Sequence, residues 1–209
     1  MKKYFTREKW QYLLHVQTHP VDGFYEIRHF EKGSVPIAIL MVILFSFCFS
    51  MNRMLAGFVV NDIDPRTVDS LSELQAVLLL FLLFCVGNWS ITCLMNGEGR
   101  LKDIATVVGY SLLPLTVTYI IATIASQFVA QNEEAIYTMI LAIGVAYAVI
   151  LVLIGLMQIH KYTLGKTLLV LVLTFVAMLI IIFIALLLFD LISQVYSFFY
   201  SVYTEIIFR

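Results

Sequence analysis

Two short motifs contain residue types that could support chemistry. Residues 165–167 read Gly-Lys-Thr, as at the end of a phosphate-binding loop, but that motif needs another glycine five residues earlier, where this sequence has His160. His15 and His19 are four residues apart, a spacing that places two imidazoles on one helical face and leaves metal binding as an alternative. No third ligand stands near them in the sequence. We therefore predict neither a metal nor any other cofactor.

Polar residues within the apolar runs are the other candidates for a site. Asn88 is the most polar group well inside such a run, and side chains of this kind often bond across membrane helices. A small channel or transporter is an alternative function, in which Asn88, Thr116 and Thr118 line a gap between helices. However, no Asp, Glu, Lys, Arg or His lies at the centre of a long apolar run, and ion-coupled transport usually needs one. No nucleophile, base and orienting group stand at a recognisable spacing, so we predict that the protein is not an enzyme, and an intramembrane enzyme is the least favoured alternative.

The elements that position these residues are predicted to be membrane helices. Of the 209 residues, 61% are hydrophobic, which is too large an apolar share for one soluble domain to bury. Five apolar runs approach the roughly 20 residues that a spanning helix needs. They are 35–51, 74–95, 104–130, 135–159 and 167–191. The first run reaches toward residue 60 only if it includes Asn52 and Arg53, so its end stays open.

The basic residues are distributed unevenly between the two sides of this five-span arrangement. Ten lie on one side and three on the other. The ten are Lys2, Lys3, Arg7, Lys9, Arg28, Lys32, Arg100, Lys102, Lys161 and Lys166, and the three are Arg53, Arg66 and Arg209. The positive-inside rule then predicts a cytoplasmic N-terminus and, after an odd number of spans, an external C-terminus. The expected location is the bacterial plasma membrane.

The segment before the first span, residues 1–33, is predicted to be cytosolic and amphipathic. A short helix around Trp10 should lie on the inner leaflet and end at Pro20. Gly23 predicts a turn, after which Phe24 begins a second apolar stretch. Both aromatic residues are candidates for contact with a partner.

The rest of the chain is predicted to form one helical membrane domain and an aromatic tail. Residues 34–191 would contain the five spans, and residues 192–209 would lie along the outer interface, where rings such as Tyr200 and Tyr203 are favoured. The tail can serve as an anchor or as a docking surface for a partner. The fold class is therefore all-α, a polytopic membrane protein with interfacial segments at both ends.

Small residues in the fourth run predict close packing of helices. Gly144, Ala148 and Gly155 recur at helical spacing, which permits contact with another helix of the chain or with a second copy. A homo-oligomer is therefore one possible assembly.

The sequence NGEGRLKDIATVVGYSLLPLT, residues 96–116, combines a turn with a proline inside a helix. Gly97 and Gly99 predict a tight turn, because glycine adopts positive φ at little cost. Pro114 has no N–H, so the carbonyl of Tyr110 loses its usual helical donor and the third span should bend there. A neighbouring hydroxyl or helix would have to supply another donor.

The stretch NWSITCLMNGEGRLKDIATVVGYSLLPLT resembles the Yip family of Ypt/Rab-interacting membrane proteins. The resemblance is carried by Gly-Tyr-Ser-Leu-Leu-Pro, from Gly109 through Tyr110 to Pro114. The upstream HPVDGFYEIRHFEKGS and the Glu-Ile-x-x-Arg ending at Arg209 resemble the bacterial branch.

The resemblance implies a non-enzymatic membrane protein. Eukaryotic members are linked to Rab GTPases, but the Asp-Leu-Tyr-Gly-Pro-like motif before their first span is reduced here to Ser34 through Pro36. Bacterial relatives look like companions of sugar ABC transport systems. The expected partners are therefore the lipid bilayer and other integral membrane proteins such as ABC transporter permeases, with a second copy of the chain as an alternative and no nucleic acid. The candidate docking residues are Trp10, Phe24, Glu98, Arg100, Tyr200 and Tyr203.

Overall fold

The computed structural model describes residues 6–61, 63–130 and 133–208, so Lys2, Lys3 and Arg209 of the charge count lie outside it. The described residues form seven α-helices and one short 3-10 helix. The helices are α1 (Arg7–Thr18), α2 (Pro20–His29), α3 (Val35–Leu55), α4 (Ser70–Leu94), α5 (Leu101–Ala125), α6 (Glu134–His160) and α7 (Leu164–Ile207), with the 3-10 helix at Pro65–Thr67. Within this part of the chain α3 to α7 are long and apolar enough to cross a membrane, which confirms the five predicted spans.

The first span ends later than its apolar run. Helix α3 includes Asn52 and Arg53 and ends at Leu55. The Asn52 amide donates to the Thr123 hydroxyl of α5 at 2.9 Å, and Arg53 pairs with Glu73 of α4 at 2.5 Å. Neighbouring helices thus provide a partner for each of these polar side chains, and the helix continues through them.

Helices α1 and α2 form an antiparallel pair, here called the N-terminal hairpin (residues 7–29). The predicted turn at Gly23 is wrong, because Gly23 is helical and the helices meet at His19 instead. A Cβ at Gly23 would lie 2.9 Å from the Val16 Cγ2 atom, so glycine allows the two helices to touch. Pro20 occupies the first turn of α2, where its missing N–H costs nothing. Pro20 therefore follows the end of α1, as predicted, and also begins α2.

The core contains the hairpin as well as the membrane helices. Helix α5 is central and makes its most extensive contacts with α3 and α6, while α4 pairs with α7 and the hairpin packs on α5 and α6. Leu13, Phe24 and Ile27 of the hairpin are almost fully buried. The hairpin therefore packs on helices α5 and α6, a contact that the predicted helix on the inner leaflet does not include.

The two ends of the bundle differ in the loops that they carry. One end holds the base of the hairpin, the α4–α5 loop (residues 95–100) and the α6–α7 loop (residues 161–163); it is called the hairpin end below. The opposite end holds the α3–α4 and α5–α6 connections and the C-terminal part of α7.

Helix α7 is much longer than the bundle is thick. Its 44 residues extend about 66 Å, roughly twice the apolar core of a bilayer. Asn88 of α4 bonds to Thr174 of α7, and Leu79 and Phe189 line one groove, so these helices run antiparallel. Helix α4 begins at Ser70, and α7 passes beyond that end. The predicted tail is therefore a continuation of the last helix as far as Ile207.

Candidate functional site

The α4–α5 loop lies directly on the end of α6. The predicted positive φ at Gly97 and Gly99 is wrong, because Asn96 takes the left-handed conformation of this loop, with φ 55°. The glycines are needed for space instead. A Cβ at Gly97 would lie 2.6 Å from both the His160 Nδ1 atom and the Tyr162 hydroxyl, and one at Gly99 would lie 2.6 Å from the His160 Cε1 atom.

Hydrogen bonds connect this loop to the α6–α7 loop. The Gly99 N–H donates to Nδ1 of His160 at 3.1 Å, and the Tyr162 hydroxyl donates to the Met95 carbonyl at 3.1 Å. A neutral imidazole that accepts at Nδ1 carries its proton on Nε2. Among residues 6–61, 63–130 and 133–208, that buried Nε2 has no hydrogen-bond partner. Sequence reasoning did not identify His160 as a contact, since no local pattern pairs it with a loop 61 positions away.

Both charged residues predicted for docking form ion pairs inside the chain. Glu98 pairs with Lys161 at 2.9 Å, and Arg100 pairs with Glu31 at 3.0 Å and with Asp103 at 3.1 Å. The hydrogen bond from Lys161 lowers the pKa of Glu98. The hydrogen bonds that Arg100 donates to the carboxylates of Asp103 and Glu31 raise the pKa of Arg100. These two residues therefore connect loops and helices of the same molecule.

Residues at the base of the hairpin form ion pairs with the same group of charged residues. Lys102 pairs with Glu31 at 3.0 Å, and Lys102 and Arg100 together lower the pKa of Glu31. The Lys9 ammonium donates to the carbonyl oxygens of residues 31–33 at 2.8 to 3.0 Å, which satisfies backbone groups of the segment between α2 and α3. A cavity of about 340 Å³ lies beside these pairs, between the hairpin base and the first turns of α3 and α5.

The carbonyl released by Pro114 receives its donor from the hairpin. Nε2 of Gln17, near the end of α1, donates to the Tyr110 carbonyl at 2.9 Å. The Tyr147 hydroxyl of α6 donates to the Gln17 carbonyl at 2.6 Å, and the Tyr110 hydroxyl accepts from the Ser34 N–H at 3.1 Å. Helix α5 continues through the proline. The family motif therefore positions the hairpin between α5 and α6.

The small residues of the spans serve contacts within the chain. A Cβ at Gly109 would lie 2.6 Å from the Ala38 Cβ atom of α3, and one at Gly144 would collide with the Thr118 side chain of α5. A Cβ at Gly155 would likewise collide with α5. The face of α6 that could have paired with a second copy is therefore occupied by α5.

The polar residues that would line a channel do not lie together in the structure. The Asn88 amide donates to the Thr174 hydroxyl of α7 at 3.1 Å. The Thr116 and Thr118 hydroxyls donate to carbonyls of their own helix, and Thr118 faces Gly144. Asn88 thus links α4 to α7, whereas Thr118 lies between α5 and α6. Its buried Oδ1 atom has no partner among the described groups.

The aromatic docking candidates differ in accessibility. Phe24 is fully buried in the core, so a partner cannot contact it unless the hairpin separates from α6. Trp10 is 38% exposed on α1, and Tyr200 and Tyr203 are about 60% exposed on α7. Only these three of the four offer surface to a partner.

The two motifs with possible chemistry have ordinary structural surroundings. The rings of His15 and His19 stack with centroids 5.0 Å apart, and in the described part of the chain no third metal-ligating side chain joins them. The Lys166 ammonium lies 4.0 Å from the centroid of the Tyr162 ring, a cation–π contact at the start of α7.

Comparison with known proteins identifies a family for most of the chain. The family model of the Yip1 domain matches residues 14–204, which includes part of the hairpin and all five membrane helices. No curated protein and no solved structure matches the chain. The matched region contains the turn, the Gly109 to Pro114 motif and the part of the hairpin that follows residue 13. The chain is a multi-pass membrane protein that belongs to the Yip1 domain family.

Proposed function

We propose that this protein is a non-catalytic component that scaffolds or stabilises a membrane complex by docking the exposed end of α7 against a partner. The observation that carries the proposal is the length of α7, which passes beyond α4 and is not covered there by any other described helix. From Leu179 to Leu191 bilayer lipid can cover such a surface. The segment that follows has a different pattern.

Residues 192–207 form an amphipathic end to α7, with two stripes at helical spacing. The apolar stripe consists of Ile192, Val195, Phe199, Val202 and Ile206, and the polar stripe consists of Ser193, Ser197, Ser201 and Thr204. All five apolar side chains are exposed. A helix with this pattern gains free energy when its apolar stripe is covered and its polar stripe stays in water.

The orientation that we propose follows from the charges. The hairpin end carries most of the basic residues and would face the cytoplasm, while the end of α7 would lie outside the bacterial plasma membrane. The resemblance to companions of sugar transport systems supports an ABC transporter permease as the partner. The ion-paired surface around Glu98 and Arg100 would keep the cytosolic loops in register during assembly.

Co-purification of the tagged full chain in mild detergent tests this proposal. We expect one stoichiometric partner with the unmodified protein and at least about tenfold less of it with the double variant Phe199→Ser, Val202→Ser, because burying polar groups on the apolar stripe removes several kcal/mol of contact. The double variant Ser197→Ala, Ser201→Ala is the matched control and should retain the partner.

Two results would contradict different parts of the proposal, the scaffold function and the docking segment. An isolated monomer in every mild detergent would overturn the scaffold function. Equal recovery of a partner with both double variants would leave a scaffold but remove α7 as its docking segment.

A further inference from the structure

The cavity at the hairpin end has the size of a small-ligand site. Its volume of about 340 Å³ falls at the lower end of the roughly 300 to 1,000 Å³ typical of such pockets. It is bounded by the hairpin base, by residues 33–36 at the start of α3, and by the first turn of α5. The α7 docking surface is at the opposite end of the molecule, so a ligand in this cavity would be independent of the proposed docking.

The charges around the cavity favour an oxyanion. Lys9, Arg100 and Lys102 line it together with Glu31 and Asp103. Asp103 is 3% exposed and already pairs with Arg100, so it is not a free negative group. Glu31 is the remaining acid, and a ligand would compete with it.

Glu31 occupies the position that an external oxyanion would take. One of its oxygens lies 3.0 Å from the Arg100 side chain and 3.0 Å from the Lys102 ammonium. The Glu31 backbone is in the left-handed region, with φ 51°, and its side chain is 62% exposed. A carboxylate on so exposed a side chain can turn out to solvent when another anion replaces it.

The backbone around the cavity reinforces this preference. Helices α3 and α5 both begin there, at Val35 and Leu101, so the positive ends of two helix dipoles face the same space. A cation would be repelled by both ends. Together with the three basic side chains, they select a negatively charged group.

The membrane boundary indicates the source of that group. The cavity lies where α3 enters the apolar part of the bundle, and Ile39, Leu40 and Ile43 of α3 are exposed along the helix beyond it. A lipid headgroup in the cavity could therefore place its acyl chains beside α3. Basic pockets between membrane helices bind anionic headgroups in this manner.

We infer that this cavity binds a phosphate group, carried by an anionic phospholipid, and that Arg100 and Lys102 contact the phosphate in place of the Glu31 carboxylate. A soluble phosphate has the same oxyanion chemistry and could enter the same space.

Binding to the delipidated full chain in an uncharged detergent tests the inference, with native mass spectrometry as the readout. Phosphatidylglycerol should bind and phosphatidylcholine should not. Lys102→Gln should weaken phosphatidylglycerol binding about fivefold, as expected for loss of one lysine at a membrane surface. Glu31→Gln should strengthen it, because the internal competitor loses its charge.

Lys161→Gln is the matched control. Lys161 also pairs with a glutamate at the hairpin end, at 2.9 Å, but it does not line the cavity. This variant should bind phosphatidylglycerol like the unmodified chain. Melting temperatures without lipid would establish that all three variants fold.

Competition with inorganic phosphate distinguishes a lipid ligand from a soluble one, and three other results would overturn the inference. If millimolar inorganic phosphate displaces the lipid, the oxyanion site is supported and a soluble phosphate is an admissible ligand; if it does not, the lipid is the ligand. Equal binding of both lipids, or equal weakening by Lys102→Gln and Lys161→Gln, would overturn the inference. So would weaker binding after Glu31→Gln.

Discussion

Single hydrogen bonds decide where the N-terminal hairpin lies. Pro114 removes the helical donor of the Tyr110 carbonyl, and a buried carbonyl without a donor costs roughly 1 to 3 kcal/mol. Gln17 supplies a donor across 93 positions of sequence. The proline thus leaves a free acceptor, the Tyr110 carbonyl, on the side of α5 that the hairpin covers. The hydrogen bond from Gln17 to this carbonyl holds the tip of the hairpin.

The pair formed by Gln17 and Pro114 can be tested by a double-mutant cycle. We expect Gln17→Leu to lower the free energy of unfolding in detergent, because the Tyr110 carbonyl loses its donor. In a Pro114→Ala background the alanine N–H can bond to that carbonyl, so the same change should cost about 1 kcal/mol less. Equal costs in both backgrounds would show that the carbonyl does not depend on Gln17.

Protonation of Glu31 at low pH should weaken the contacts of the hairpin base. Lys102 and Arg100 lower the pKa of Glu31. A carboxyl whose folded pKa is depressed contributes stability that is complete above its unfolded pKa, about 4.3, and is lost as the pH falls through the folded value. We therefore expect Trp10 fluorescence, in a Trp89→Phe background, to be constant between pH 5 and 7 and to change only below about pH 4.5.

Glu31→Gln is the control for this titration and should reduce the change below about pH 4.5. A transition of the unmodified hairpin centred between pH 5 and 7 would contradict the assignment to a carboxyl with a lowered pKa.

At the scale of elements, the helices pack closely because glycines leave room for atoms of the neighbouring helix. Gly144 of α6 faces Thr118 of α5, whose hydroxyl donates to the Pro114 carbonyl at 2.8 Å. That bond keeps Thr118 from rotating away. The close packing of α5 and α6 therefore depends on the absence of a side chain at position 144.

Gly144→Ala should lower the free energy of unfolding by about 1 to 3 kcal/mol, because the added methyl group collides with a constrained side chain. Gly165→Ala is the matched control, since no atom lies within 4 Å of its added Cβ. That variant should be neutral or gain up to about 1 kcal/mol from helix propensity. Denaturation of both in the same detergent provides the comparison, and equal losses would refute the packing argument.

At the scale of the whole molecule, the orientation that we propose would put the hairpin end and the end of α7 on opposite sides of the membrane, because an odd number of spans separates them. The hairpin end and the end of α7 can therefore act on different compartments. The ion pair of Glu98 with Lys161 belongs to one side, and the exposed Glu205 belongs to the other.

Cysteine labelling in spheroplasts tests the proposed orientation. In a background where Cys48, Cys85 and Cys93 are alanine, Glu205→Cys should react with an impermeant maleimide in intact spheroplasts. Glu98→Cys should react only after permeabilisation. The reverse pattern would overturn the orientation, and equal labelling from outside would contradict an odd number of spans.

The membrane helices were predictable because their cause is local. An apolar run of about 20 residues can be satisfied only by lipid, and the basic residues between runs mark where it ends. Such patterns define the existence of α3 to α7 and the approximate limits of α4 to α6. They left the end of α3 open, since Asn52 and Arg53 are polar and their bonds to other helices are not visible in the sequence. They placed the end of the last span at residue 191, whereas α7 continues to Ile207.

The sequence by itself determined the class of protein, the number of spans and the family, because these depend on composition and on short motifs. The tertiary structure alone decided that Phe24 is core, that Gly97 and Gly99 make room for a distant histidine, and that Gln17 completes the proline site. The physical reason is that these partners lie 61 to 130 positions apart, so packing of the helices, and no local pattern, brings them together.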